Sequence, residues 1–303
     1  MIVLRSADLL VRLDPRHGGE MLDLVDLRTG RQLLGRPPFG SDLPLGGDLD
    51  ETAWTARYRG GWQLALPNAG TACKVGGSYH GFHGRASIDP WQVRAAGGSR
   101  CTLEWSGHGL RVLRTFELAG GGVTVHVEAR AEEERVPLVT VEHLAVGLEL
   151  LEPEVEIELP GGRTYELSEP DGPPFPPPDA CTWPEARLLD GSVERCDRWP
   201  LERSRSRLLV VAELPVGRAT VRNPSRGQGL ELVWDADWLR HCWLWHEARL
   251  YGGRWRGQAE ILAIEPASVP HALGLAAAIE HDQARWLESG DSVSYRISVR
   301  PLR

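Results

Sequence analysis

The chain holds a carboxylate and an imidazole whose positions suit acid–base chemistry. Glu265 follows the apolar run Ile261, Leu262, Ala263, Ile264 and precedes Pro266, which has no N–H to give to a sheet. Such a run is a buried strand, and from the proline onward it cannot continue as a central one. The carboxylate then has its stem in the core and its head at a rim, where an unpaired charge is costly. It is either satisfied by backbone N–H groups or an arginine, or it works as an acid or base. His143 lies in a strand-like stretch, 139–147, directly after Glu142. A period of two sends these neighbours to opposite faces, and the half-apolar imidazole is the cheaper of the two to bury.

Further polar groups cluster in two places. His80 and His83 share a segment with Gly81, Gly84, Arg85 and Trp91, shortly after Asn68. A His-x-x-His spacing suits a metal, but the glycines oppose the helix or hairpin that would hold one, and no third ligand is evident. We expect no metal. The histidines are either hydrogen-bonded structural residues or, with Asn68 and Arg85, the wall of a polar ligand cleft. The second cluster sets Trp234, Trp238, Trp243 and Trp245 among Asp235, Asp237, Arg240 and His246. Trp243 and Trp245 are two apart and share a face. Indole rings beside charged groups suit sugars, whose C–H faces stack on aromatic surfaces while their hydroxyls need polar partners. The same rings would equally fill the core of a large β protein.

The elements that must carry these groups are strands. Residues 9–13, 21–27, 101–105, 110–118, 123–130, 207–214, 218–223, 229–234 and 291–299 show the strand rhythm, and Gly120–Gly122 turns a hairpin without the Lys of a phosphate loop. Residues 37–61 read as a long loop of the kind that often carries function. The Pro-rich stretch 168–184 is a stiff surface excursion or a flap over a site. One short helix fits around 273–279. With no repeat, no strand–helix alternation and no domain break, the expected fold is all-β: one domain over 1–303, a large antiparallel sandwich with few short helices.

Composition narrows the function classes. The 42% hydrophobic and 25% charged fractions are those of a soluble globular protein. A net charge of −8, with Lys74 the only lysine, opposes a nucleic-acid-binding face. No apolar run has membrane length, and the first residues lack signal-peptide order. Five cysteines without a CxxC pair suggest reduced thiols in a cytoplasmic protein.

In their order along the chain these signals resemble the aldose 1-epimerase, or galactose mutarotase-like, family. The resemblance spans nearly the whole sequence: the Gly18-Gly19 and Thr29-Gly30-Arg31 turns, His83-Gly84-x-Ala86 with Pro90-Trp91, His143 with Gly147, and Ile264-Glu265-Pro266 with Pro270. It implies an antiparallel β-supersandwich with a sugar cleft on a concave face. Glu265 would be the base and His143 the acid, on opposite sides of a pyranose, with His83 bonding the ring oxygen or a neighbouring hydroxyl and no cofactor. Where better-known members carry a sugar-binding arginine, this chain has Leu64-Ala65-Leu66-Pro67-Asn68, so Asn68 or Arg85 would substitute. Trp245, Asp235 and His80 complete the expected substrate contacts. The partner would be a monosaccharide or a sugar phosphate, the latter needing Arg57, Arg59, Arg85 or Arg240, and the protein a monomer or homodimer. A non-catalytic sugar binder on the same scaffold is the other reading.

Overall fold

Alternating apolar residues pair into two large sheets in the computed structural model, which describes residues 1–38, 47–152, 154–167, 175–199, 205–252 and 255–302. Thirteen strands make one sheet and nine the other, and one parallel contact, Tyr165 with Arg187, interrupts otherwise antiparallel pairing among the described strands. The centre of the larger sheet runs Trp62–Ala65, Val141–Val146, Glu260–Ala267, His241–Ala248, Arg205–Ala212. In the smaller sheet, Leu110–Ala119 and Gly122–Ala131 form a hairpin whose two turn residues, Gly120 and Gly121, both take the positive φ that a tight two-residue turn requires.

Side-chain alternation decides what each face of the larger sheet does. Leu64, Leu144, Ile264, Leu244 and Leu209 enter the main core, meeting Phe116, Val125, Ile297 and Val299 of the smaller sheet. Burial of such side chains contributes roughly 1.5–3 kcal/mol each. The residues one step out of phase, among them Trp243, point to the outer face, which carries its own smaller apolar clusters.

Two expectations need correction. The strand bearing Glu265 does not lose its central place at Pro266: it continues to Ala267, flanked on both sides. Its pairing with Val141–Val146 skips the positions of Pro266 and Glu265, resuming at Val141 with Ala267 and at Leu144 with Ile264. The proline is tolerated because the ladder opens there. The stretch 37–61 is not all loop, since Glu51–Thr55 is a helix whose N-cap Asp50 accepts the Ala53 N–H at 2.7 Å. Of the Pro-rich stretch, 168–174 lies outside the described residues.

Candidate active site

Counting along the paired strands sets His143 directly opposite Glu265, Glu265 opposite Trp243, and His143 opposite Gln63. Residues opposite one another share a face, so one row of side chains crosses four strands. His143 Nε2 stands 3.5 Å from Glu265 Oε1, and both residues are at most 3% exposed. They stand side by side, not across the width of a ring. Among the described residues His143 is the only ion-pair partner of Glu265, and His143 Nδ1 has no hydrogen-bond partner. Burial disfavours charge on each: it pushes Glu265 up to about 8 and His143 down to about 4. Gln63 donates from Nε2 to Glu20 at 2.8 Å, and Arg59 pairs with Glu20 in turn.

The pair lies in a cavity of about 410 Å³ on the outer face, within the size range of small-molecule sites. His83 forms part of its wall. Its backbone is left-handed, with φ 58°, and Gly84 follows at φ 68°, where a Cβ would come 2.4 Å from the Leu66 carbonyl oxygen. This sharp bend turns the ring inward. His83 Nδ1 accepts the Gly70 N–H at 3.1 Å, which leaves the proton on Nε2. Burial, and then His143, hold His83 well below the usual histidine range, so it stays a neutral donor.

Aromatic rings make the rest. Trp54, from the short helix, meets His83 at 4.6 Å between centroids and is pinned by its Nε1–H to Ser87 Oγ at 2.9 Å. Tyr58 meets His143 at 5.3 Å and Trp245 at 5.8 Å. Its buried hydroxyl has no partner, and burial with the nearby Glu265 and Glu20 keeps the phenol protonated. Trp243 is fixed through Nε1–H to the Val269 carbonyl, whereas Trp245 is partly exposed beside Trp255. A buried acid–base pair with donors and ring faces around it can move protons on a small polyhydroxy ligand.

Of the residues expected from sequence, the cavity brings together Glu265, His143, His83 and Trp245. It does not include Asn68, Arg85, Asp235 or His80. Asn68 is fully buried and braces backbone, donating to the Thr71 and Gly81 carbonyls and accepting the Leu275 N–H at 2.6 Å. Arg85 pairs with Asp89 at 3.0 Å over a different depression. Asp235 accepts the Arg296 N–H elsewhere on the surface. His80 stacks on His108 at 4.4 Å, and no group of three metal-binding side chains occurs among the described residues. Missed from sequence were Trp54, Tyr58, Trp255 and Glu247. For the first two a signal existed, since Asp50-Glu51 before Thr52 is a helix start.

The described strands thus form a two-sheet sandwich with a buried histidine–glutamate pair in an aromatic-walled pocket. By sequence the chain matches no family model and no curated protein. By structure it is similar over 99% of its length to a galactose mutarotase-like protein from Lactobacillus casei ATCC 334, covering 99% of that chain at a TM-score of 0.67 and 16% identity. A candidate aldose 1-epimerase from Escherichia coli K12 matches 99% of this chain over 98% of its own, at 0.70 and 15%. A galactose mutarotase related enzyme from Lactobacillus acidophilus gives 0.66 and 12%, with 99% of this chain and 97% of that one covered. The chain has the galactose mutarotase-like fold. At such identities the likeness establishes the fold alone.

Proposed function

We propose that the cavity binds an aldose and interconverts its α and β anomers. The observation that carries this reading is the His143–Glu265 pair, two buried titratable groups 3.5 Å apart in an aromatic-walled cavity. The anomeric carbon bears both O1 and O5, so an adjacent pair can serve both atoms from one side. Ring opening removes the O1 proton, forms the C1–O1 double bond, breaks C1–O5 and puts a proton on O5. The aldehyde turns about C1–C2, and closure on its other face reverses both transfers.

The pair needs to hold one proton, and burial arranges this between the about 4 of His143 and the about 8 of Glu265. With the proton on His143, Glu265 takes the O1 proton and His143 protonates O5. With the proton on Glu265, the form burial favours in the empty site, the same transfers run with partners exchanged. Each group contributes about 10²–10⁴ in rate. His83 Nε2–H and the Tyr58 hydroxyl donate to the sugar. None of Arg57, Arg59, Arg85 and Arg240 lines the cavity, and Arg207, which does, is paired with Glu194 at 3.3 Å. This favours an unphosphorylated sugar.

Polarimetry on freshly dissolved α-glucose, α-galactose, xylose, arabinose and glucose 6-phosphate tests the reading. At least one free aldose should relax faster with protein than in buffer. Relaxation of all five at the buffer rate, with sugar binding retained, would make the protein a binding module.

A further inference from the structure

The cavity is longer than the reacting pair requires. Along the strand His241–Ala248 the outward residues are Trp243, level with Glu265, then Trp245, then Glu247, and all three line the same cavity. At about 3.3 Å per residue, Glu247 lies about 13 Å from the Glu265 row, roughly the length of two linked pyranoses and beyond the reach of one. Directly opposite Glu247 is Ser206 of the neighbouring strand, which also lines the cavity. Glu247 is only 5% exposed, and its Oε1 accepts the Leu250 N–H at 3.0 Å. A second hydrogen bond, from Ser206, further fixes the carboxylate. Between the two ends lies Trp245, partly exposed, with Trp255 at 5.9 Å and Tyr58 at 5.8 Å, an aromatic platform with no acid–base group of its own.

We propose that the Trp245 platform, closed by Glu247 and Ser206, is a second sugar subsite, and that the preferred ligand is a reducing disaccharide. The proposal rests on the anomer-interconversion reading, which puts the reducing ring at His143–Glu265. The second ring then lies with its C–H face on Trp245, and its outer hydroxyls donate to Glu247 and exchange hydrogen bonds with Ser206. A carboxylate at that end selects hydroxyl donors and repels a phosphate or uronate.

The test measures anomer relaxation of cellobiose, maltose and lactose against glucose and galactose, alongside tryptophan-fluorescence titration with the same sugars. A hydrogen bond to a buried carboxylate corresponds to about tenfold or more in affinity. At least one disaccharide should therefore exceed its monosaccharide about tenfold in kcat/KM and in affinity. Glu247→Gln should collapse that ratio toward one, and Ser206→Ala, a milder change, should reduce it if the first variant fails to fold. Disaccharides that bind no better than monosaccharides, or a ratio that survives both substitutions, overturn the subsite. If no sugar relaxes faster than in buffer, the catalytic reading fails, and the fluorescence ratio still decides the subsite.

Discussion

Glu142 and Glu265 are both almost wholly buried in adjacent strands of one sheet, yet they face opposite sides and have opposite company. Glu142 looks into the core between the sheets. Its Oε2 accepts from Arg114 at 2.6 Å and from Trp62 Nε1 at 2.7 Å, and its Oε1 accepts from the Tyr295 hydroxyl at 2.8 Å. The Arg114 guanidinium also lies over the Trp62 and Phe116 rings. Both carboxylate oxygens are satisfied, and the network ties the strand carrying His143 to the smaller sheet. Glu265, on the outer face, has one imidazole beside it and a cavity above. A satisfied buried charge fixes structure; one left with a single weak partner remains available for proton transfer.

The sharpest test of this contrast is Glu265→Gln. It keeps shape and removes the proton-transfer group, so anomer relaxation should fall about 10²–10⁴-fold. Stability should not suffer, and its pH dependence gives the sign. The folded-state pKa of Glu265 is raised to about 8 from an ordinary 4.5, so the unfolded chain releases this proton first. Wild-type stability from this group therefore declines as pH rises from 4.5 to 8, and the glutamine variant is spared that decline. A variant less stable than wild type at pH 8 would mean that Glu265 is a structural charge like Glu142.

Arg114→Met attacks the other side. It leaves Glu142 buried without its cation, and breaking such a pair costs about 3–5 kcal/mol. The denaturant midpoint should drop accordingly at unchanged slope, while activity per folded molecule holds. Adding Glu142→Gln should restore much of the loss. If Arg114→Met instead leaves stability intact, the network is not the brace described.

The pH profile of the rate sharpens the same comparison. Below about 4 the pair carries two protons and lacks a base; above about 8 it carries none and lacks an acid. Activity should therefore hold between these limits and fall about tenfold per unit outside them. A profile with only one limb would leave just one of the two groups working.

Much of this was legible in the sequence, for a physical reason. Period-two alternation is a local property, so the long hairpin strands and the all-β class could be read directly, as could the odd placing of Glu265 and His143. That Glu142 is buried as thoroughly as His143 was not legible, because its partners Arg114 and Tyr295 lie 28 and 153 residues away. In the sequence Asn68 and Arg85 resemble ligand contacts because a polar side chain in a glycine-rich segment looks the same whether it meets a sugar or braces a loop. Ser206 and Glu247 come to line one cavity only through strand pairing, which no local pattern reports.

The smallest expected effect concerns how each carboxylate is enclosed. Glu142 is sealed between two sheets, whereas the wall beside Glu265 depends on the five-residue helix Glu51–Thr55. So short a helix is marginal alone. Its Asp50 cap contributes about 1 kcal/mol; its Trp54 ring meets His83, and Tyr58, three residues past its end and bonded through its N–H to the Thr55 carbonyl, meets His143. Asp50 is exposed and takes no part in proton transfer. Asp50→Ala should lower global stability by about 1 kcal/mol or less, since the sheets do not depend on the cap. The larger consequence should be local: faster amide exchange at 51–58 and a several-fold rise in KM with kcat little changed, because the wall binds the sugar similarly in ground and transition states. If KM stays fixed while exchange quickens, the helix is a loose cover and the aromatic wall does not hold the ligand. If kcat falls instead, Tyr58 acts on the reacting atoms, and the outer face would then hold three working groups against none on the Glu142 side.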